Sequence, residues 1–268
     1  MSVLRLLELL SLLAIFVQPS YALAVEGVIF DAEAPPGAKI AHEMTVSLGE
    51  DESPMDLVVE IDDWVQSEDG VNLPLEAGAS PGPYSARGFL TAEPYRFHID
   101  PGGTEKVMVK GYIPEDVGPG GRYALISIYS LPEKAKADDE NSVGISVAVC
   151  ALARLIIAGG DLIRRGEIKE ADLLDVSSRH QNLSLLFENT GNCHFRVRAE
   201  ATLMGQGGNI LGSSSSSLCS KILPGARRRF LLSLTPENEI EPGSYFINAS
   251  MICENGTLLA TKELEFAI

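Results

Sequence analysis

Histidines and clustered carboxylates are the residues in this chain whose side chains could carry out acid–base or metal chemistry. The four histidines, His42, His98, His180 and His194, are scattered along the sequence. Neither a G-x-S-x-G turn nor a metalloprotease helix motif accompanies them. The histidines are therefore interpreted as ordinary surface or core residues, and the chain is predicted not to be an enzyme.

Adjacent acids are the second feature with chemical potential. They occur as Asp62-Asp63 and Asp138-Asp139-Glu140, and more acids follow a predicted strand at residues 50–52. Several carboxylates could bind calcium, but none of these has the D-x-[DN]-x-[DN]-G spacing of a calcium loop. Two acids could also act in glycoside hydrolysis, which needs a cleft that nothing in the sequence indicates. We predict no cofactor, with calcium as the alternative.

The chain contains four cysteines, Cys150, Cys193, Cys219 and Cys253. In a secreted chain an even count allows two disulfides with three connectivities. Apolar and polar residues alternate around Cys193 and Cys253 and place both on apolar strand faces. We therefore predict a Cys193–Cys253 bridge and, as a weaker second bridge, Cys150–Cys219, with free buried thiols as the alternative. The absence of a C-x-x-C pair from the sequence argues against zinc.

Three further groups of residues are candidates for binding or modification. A basic cluster could bind an acidic partner or form the solvated face of a strand. Its members are Arg227, Arg228 and Arg229. Apolar residues that could form a ligand surface are Trp64, Leu73, Tyr84 and Phe89. Sequons for N-glycosylation begin at Asn182, Asn248 and Asn255.

The first 24 residues have the features of a secretory signal peptide. Arg5 precedes an apolar run over residues 6–17, and Ala22-Leu23-Ala24 is an A-x-A cleavage motif. We predict a secreted, extracytoplasmic protein of the periplasm or cell surface, whose mature chain begins at Val25. An uncleaved membrane anchor is the alternative, but the apolar run is short for a span.

The sequence is acidic, and its charge is unevenly distributed. The formal net charge is −16. Residues 25–150 contain 23 acidic and 8 basic residues, whereas residues 151–268 contain 13 and 12. An acidic surface repels phosphate backbones, so nucleic acid is not expected as a partner.

The same order of turns and strands occurs in both halves of the chain. Pro101-Gly102 precedes Tyr123 in the first half, and Pro224-Gly225 precedes Tyr245 in the second, at separations of 22 and 21 residues from the proline. In each half, Pro-Gly makes a turn, a later proline ends a strand, and another Pro-Gly precedes the tyrosine. This is the tyrosine-corner position of immunoglobulin-like (Ig-like) sandwiches. The repeat predicts two domains of one kind.

An apolar stretch over residues 142–158 joins the two halves. Branched residues alternate with small ones between positions 143 and 149, a period of two that favours strands. A membrane helix over this stretch would bury Arg154 in lipid. We predict that a last strand, Val143–Ala151, runs directly into a first strand that begins at Leu152. The predicted fold class is all-β, with two tandem Ig-like antiparallel β-sandwich domains and no membrane span in the mature chain. A signal peptide covers residues 1–24, an acidic sandwich 25–151 and a second sandwich 152–268.

Taken together, the segments Pro101–Tyr123, Phe187–Asn192 and Pro224–Tyr245 resemble two-domain proteins of the pilus-chaperone-like superfamily and related cell-envelope proteins. Pilus chaperones hold a subunit's carboxylate with two basic residues, in the first and last strands of domain 1. Neither predicted strand contains a basic residue here, and the nearest ones, Lys39 and Arg154, are at the wrong ends. The resemblance therefore implies only the general mode, in which an exposed edge strand pairs with a strand of the partner.

The predicted function is that of a non-enzymatic envelope protein that binds a protein or a surface polymer through its sandwich domains. The alternative is a periplasmic-type assembly chaperone that acts by strand donation on a secreted or pilus-like subunit. An exposed edge in domain 1 and an open cleft would favour the chaperone. A closed edge and an exposed aromatic patch would favour the binding protein.

Overall fold

The computed structural model describes residues 23–75, 82–131 and 146–268, and these residues form mainly β-strands. In the first half the strands are β1 (Leu23–Glu26), β2 (Ile29–Ala34), β3 (Lys39–Leu48), β4 (Met55–Asp62), β5 (Trp64–Gln66), β6 (Asn72–Pro74), β7 (Leu90–Glu93), β8 (Arg96–Ile99), β9 (Thr104–Tyr112), β10 (Gly120–Ser130) and β11 (Ala148–Ile157). In the second half they are β12 (Gly166–Val176), β13 (Gln181–Asn189), β14 (Val197–Gly205), β15 (Ile210–Ser215), β16 (Arg227–Leu234), β17 (Ser244–Cys253) and β18 (Leu258–Ala267). Residues Arg87–Phe89 form a short 3-10 turn.

The first sandwich packs a four-stranded sheet against a five-stranded sheet. Their strand orders are β1-β3-β9-β7 and β2-β11-β10-β4-β8. Side chains alternate along each strand, so residues such as Met44 and Val107 of one sheet meet Leu57 and Ile126 of the other in a single apolar core. Strands β5 and β6 form a separate hairpin within the long loop predicted over residues 65–85.

The second sandwich packs the sheet β12-β13-β16 against the sheet β15-β14-β17-β18. Phe187 and Phe195 make an edge-to-face contact in its core, with ring centroids 6.4 Å apart. The predicted alternation along residues 195–203 is confirmed, because every second residue from Val197 to Leu203 is buried. The hairpin predicted at residues 254–257 connects β17 to β18. These sheets confirm the all-β fold class with two sandwiches.

Strand β11 corrects the predicted boundary between residues 151 and 152. Its whole length pairs with β10, from Ala148 opposite Tyr129 to Ile157 opposite Gly120. The alternation of buried residues runs without a break through this point, so there is one strand where we predicted two. The first sandwich therefore extends to Ile157.

The predicted signal peptide lies mainly outside the described residues. Residues 1–22 are not described, and its last two residues, Leu23 and Ala24, belong to β1. No helix in the described parts of the chain is both long enough and apolar enough to cross a bilayer. The joining stretch considered as a membrane helix is a strand from Ala148 to Ile157.

Candidate functional site

The N-terminal segment changes sheets at Gly27. Before this residue β1 pairs with β3, and after it β2 pairs in parallel with β11. Gly27 has a φ of 76°, in the left-handed region that favours glycine. A Cβ here would lie 2.6 Å from the carbonyl oxygen of Glu43. The carbonyl oxygen of Gly27 itself lies 2.7 Å from His42 Nε2. Gly27 thus lies close to β3, at the point where the segment passes from the four-stranded to the five-stranded sheet.

The change of sheet leaves the beginning of β11 with one neighbour. Strand β2 pairs with β11 only from Leu152 onward. On the side opposite β10, no strand in the described part of the chain pairs with Ala148–Ala151. We call these four residues the open edge of β11.

The peptide groups of the open edge alternate in direction. Ser130 N–H donates to the carbonyl oxygen of Val147 at 2.9 Å, whereas Leu152 N–H donates to the carbonyl oxygen of Val28 at 2.9 Å on the other side. Because the direction alternates from residue to residue, the peptide groups of residues 148 and 150 point away from β10. Two N–H donors and two carbonyl acceptors are thus directed toward the unpaired side.

The side chains of the open edge do not protect it. Ala148 and Cys150 are exposed, Val149 is half-buried and Ala151 is buried in the core. No charged residue and no proline occurs from Ser146 to Ala153. Natural edges are usually blunted by charges, prolines or bulges. Nothing in the sequence of this edge therefore hinders a further strand from pairing with it.

The β5–β6 hairpin attaches the first sandwich to the second. Gln66 accepts a hydrogen bond from Leu223 N–H at 2.9 Å and donates one to the carbonyl oxygen of Lys221 at 3.0 Å. Glu68 accepts hydrogen bonds from the Arg229 guanidinium at 2.7 and 2.9 Å, and its carbonyl oxygen accepts the Arg229 N–H at 2.9 Å. The hairpin thus lies against the edge strand β16.

An ion network joins the sandwiches near the end of β11. Arg154 donates from Nε and Nη2 to the Asp31 carboxylate at 2.6 and 2.9 Å, and Lys221 donates from Nζ to the same carboxylate at 3.0 Å. Burial would raise the pKa of Asp31, but the hydrogen bonds and charges of the two cations outweigh it and lower that pKa. The predicted last strand of the first sandwich, Val143–Ala151, did not include Arg154, which in fact lies in β11. Its guanidinium is, however, already paired with Asp31.

A second polar contact across the interface involves Tyr123. Its hydroxyl lies 3.1 Å from Nδ1 of His194. Burial, helped by the nearby charges of Lys221 and Arg154, lowers the pKa of His194 to about 4. Burial also raises the pKa of Tyr123. This histidine is therefore neutral at pH 7, as part of the interface. Nothing in the sequence signals the contact, because its partners are 71 positions apart.

Two of the four predicted ligand-surface residues lie together. Trp64 and Tyr84 line a cavity of about 650 Å³ between the sandwiches. Leu73 lies on the hairpin opposite Val65, is 44% exposed and does not line the cavity. Phe89 packs against the core of the first sandwich. The predicted single apolar surface is thus divided among three places.

The predicted basic cluster does not form one exposed patch. Arg227 pairs with Glu188 at 3.0 Å on the neighbouring strand, and Arg229 pairs with Glu68 of the first sandwich. Arg228 points inward, is only 7% exposed and donates to the Ser220 hydroxyl at 3.2 Å. Successive residues of a strand face opposite sides, so three consecutive arginines cannot share a surface. The acidic partner of Arg229 is the chain's own first sandwich.

Neither predicted disulfide is formed, because all four cysteines are free thiols. Cys150 is exposed in the first sandwich, with Sγ 3.8 Å from the Ser127 hydroxyl, while Cys219 packs against the core of the second. Cys193 and Cys253 are buried in the second sandwich, as the strand parity predicted. The Cys193 thiol points to the carbonyl oxygen of Ile163 at 3.7 Å, and burial raises its pKa.

The remaining candidates stay predictions. Asn248 and Asn255 are exposed, and Asn182 is half-buried on β13. Of the predicted acidic clusters, Asp138-Asp139-Glu140 lies outside the described residues. Among residues 23–75, 82–131 and 146–268, no group of three or more histidine, cysteine or acidic side chains is arranged to hold a metal ion.

No protein-family model matches the chain, and no curated protein matches it. Solved structures with a similar fold include a chain of a chaperone–tip adhesin complex of CFA/I fimbriae, 9% identical with a TM-score of 0.45, covering 92% of this chain and 98% of that one. The class 5 fimbriae chaperone CfaA is 9% identical, with a TM-score of 0.43 and coverages of 91% and 98%. The E. coli chaperone DraB is 13% identical, with a TM-score of 0.38 and coverages of 91% and 96%.

Proposed function

We propose that this protein is a non-enzymatic, extracytoplasmic protein that binds an extended segment of a protein partner by strand pairing, as an assembly chaperone does. The observation that supports this function is the open edge of β11 at Ala148–Ala151. Main-chain hydrogen bonds to such an edge supply affinity without a dedicated side-chain site. The signal-like residues 1–24 support the compartment.

The position of the edge specifies the kind of segment that fits. An added strand would lie in line with β2, where the N-terminal segment leaves the sheet at Gly27. One face of that strand would cover the core beside Ala151, and the other would face solvent. Since side chains alternate along a strand, the partner segment should carry apolar residues at every second position. A flexible terminus of a secreted subunit meets this requirement.

The proposed binding does not use a pair of free basic residues. Arg154 and Lys221 both contact Asp31, so a partner's carboxylate would compete with an internal one. Affinity should therefore come mainly from the peptide groups of residues 148 and 150. Such binding differs from the capture of a partner's carboxylate by two basic residues. Its dependence on peptide groups can be tested by removing one peptide N–H.

The test compares Cys150→Pro with Cys150→Ala. Proline removes the outward N–H at this position and leaves the inward peptide groups of the ladder to β10 in place, whereas alanine keeps the N–H. Both variants serve as bait in extract of the cell envelope, with cross-linking mass spectrometry as the readout. We expect Cys150→Ala to capture one partner segment against residues 148–151, and Cys150→Pro to lose about tenfold or more of it.

Two checks accompany the test. Thermal unfolding must show that Cys150→Pro remains folded, and Ala148→Pro should repeat its effect at the other outward position. Equal capture by the proline and alanine variants, or cross-links confined to the second sandwich, would contradict binding at the open edge. Cross-links to polysaccharide would support the broader prediction of a polymer-binding envelope protein instead.

A further inference from the structure

The cavity between the sandwiches has an aromatic and apolar lining. It has a volume of about 650 Å³, within the range of small-molecule sites in proteins. It is bounded by the β5–β6 hairpin and the Pro83–Ser85 segment on one side and by the loop before β16 on the other. Its aromatic and apolar lining includes Trp64, Pro83, Tyr84, Tyr123, Leu223 and Pro224.

Three charged residues also line this cavity, and two of them are already paired. Glu68 binds Arg229, and Arg227 binds Glu188. The third, Asp63, is 8% exposed. Within the described parts of the chain its carboxylate makes no hydrogen bond and no ion pair. A nearly buried carboxylate without a partner is costly, so a cation that enters the cavity would gain a counter-ion there.

Two further cations near the hairpin do not line the cavity. Arg228 is 7% exposed, and its guanidinium lies beside Gly70 and donates to the Ser220 hydroxyl. The guanidinium of Arg122 lies 6.0 Å from the centre of the Tyr84 ring, but Arg122 does not line the cavity. Its two terminal nitrogens donate to the carbonyl oxygens of Gly118 and Gly121. The Asp63 carboxylate therefore keeps an unmet preference for a cation that enters from the cavity.

We propose that this cavity binds an organic ammonium cation, with Asp63 as its counter-ion and Trp64 as an aromatic wall. Aromatic faces attract cations, with tryptophan the strongest. The lining is mostly apolar and offers few oxygen atoms to replace the hydration shell of an inorganic ion, so the ligand should bring its own hydrocarbon body. Either a free amine or a lysine side chain of a bound protein has this chemistry. The site is independent of the open edge of β11.

Trp64 allows a direct test because it is the only tryptophan in the chain. The full chain is titrated with 2-phenylethylammonium while tryptophan emission is recorded. The neutral control is 2-phenylethanol, which has a similar shape. We expect a saturable change with the ammonium ion and about tenfold or more weaker binding of the alcohol. Equal binding of the two probes, or no saturable change up to about 10 mM, would overturn the proposal.

Asp63→Asn removes the charge and keeps the size of the side chain. We expect this variant to bind the ammonium probe about tenfold or more weakly, and to bind the alcohol as the wild type does. The matched control is Asp69→Asn, which removes an exposed acid from the same hairpin and should change nothing. Retained ammonium selectivity in Asp63→Asn would contradict the role of this carboxylate. If Asp63→Asn fails to fold, the comparison of probes on the wild type still decides.

The two sources of the cation are separated by two further measurements. Nα-acetyl-lysine methylamide replaces phenylethylammonium in one titration, and Asp63→Asn serves as bait in the envelope capture. Binding of the lysine derivative together with weakened capture assigns the site to a lysine of a protein partner. Binding of the small amine with unchanged capture assigns it to a free ligand. Cys150→Pro should bind phenylethylammonium normally, so failure of one proposal is distinguishable from failure of the other.

Discussion

The two sandwiches carry equivalent corner tyrosines that are used differently. In the second sandwich, the Tyr245 hydroxyl donates to the carbonyl oxygen of Glu241 at 2.6 Å, within its own corner. In the first, Tyr123 is 4% exposed and its hydroxyl contacts His194 across the interface. The shared sequence pattern places a tyrosine at the start of a strand in both. What its hydroxyl contacts depends on whether another sandwich covers that corner.

The last strands of the two sandwiches differ in the same way. Strand β18 lies at the edge of its sheet and carries Lys262, Glu263 and Glu265, charges that discourage pairing with another chain. The beginning of β11 also lies at an edge, but it has no charge from residue 146 to residue 153. One edge is thus protected by charged side chains, whereas the other is not.

The largest effect is expected from the two cores, and it tests whether the sandwiches unfold separately. Phe187→Ala removes a fully buried ring from the second core and should lower the free energy of unfolding by about 3–5 kcal/mol. Ile126→Ala should do the same in the first core by about 2–5 kcal/mol. Hydrogen exchange read by mass spectrometry should show faster exchange mainly in the mutated sandwich. Equal acceleration in both would mean that they form one cooperative unit.

The interface should respond to pH through His194. Its pKa is about 4 in the folded chain, against a reference value of 6.5. Between these values the unfolded chain binds more protons, so the free energy of unfolding rises with pH. The contribution is complete above about pH 6.5 and is lost as the pH falls toward 4. From pH 6.5 to pH 4, the free energy of unfolding measured in urea should fall by roughly 2 kcal/mol more in the wild type than in His194→Asn.

His98→Asn is the control for that measurement. His98 is exposed, with about half of its side chain in solvent, so this variant shows how far the loss of a histidine outside the interface changes the slope. If His194→Asn shows the same slope as the wild type between pH 4 and 6.5, the histidine does not stay neutral in the interface.

Smaller effects should separate the two corner tyrosines. Tyr245→Phe removes one hydrogen bond and should lower the free energy of unfolding by about 1 kcal/mol. Hydrogen exchange should then increase at residues 241–245 alone. Tyr123→Phe should instead increase exchange on both sides of the interface, near residues 84 and 194. A response of Tyr245→Phe that spreads to the first sandwich would remove the distinction between a local corner and an interface contact.

The smallest effect should come from the ion pair between Glu68 and Arg229. Both side chains are partly exposed, at 42% and 31%, so solvent weakens their attraction. Glu68→Gln should therefore lower the free energy of unfolding less than any other variant, and its effect should become smaller still at high salt. Asp69→Asn, one residue further on, is the matched control. A cost near that of the core variants would mean that this pair, rather than the packing of Trp64 and Leu223, holds the sandwiches together.

Sequence patterns predicted the elements well and the contacts between distant residues poorly. The period of two along residues 195–203 correctly placed Val197 and Leu203 in a core. The same reasoning ended a strand at Ala151, although the alternation continues to Ile157. The arginines at 227–229 looked like one patch because they are adjacent in sequence, whereas a strand turns them to opposite sides.

The candidate site was predicted only in part. Trp64 and Tyr84 were identified from their residue type, and both line the cavity. Asp63 appeared only as one of two adjacent acids, because its burial is set by segments far along the chain. The open edge of β11 had no sequence signal beyond uncharged residues, because it arises from the position at which another strand leaves the sheet.

By itself, the sequence determined two β-sandwiches with apolar alternation, turns at Pro-Gly and Asn-Gly, and a tyrosine at each corner, since all of these depend on residues close together in the chain. Only the tertiary structure decided which edge is open, which cations are paired and where Asp63 is buried. Those properties depend on Gly27 reaching β3 and on the β5–β6 hairpin lying against β16. Local periodicity cannot encode them, because the free energy of each contact depends on partners that folding brings together from distant parts of the chain.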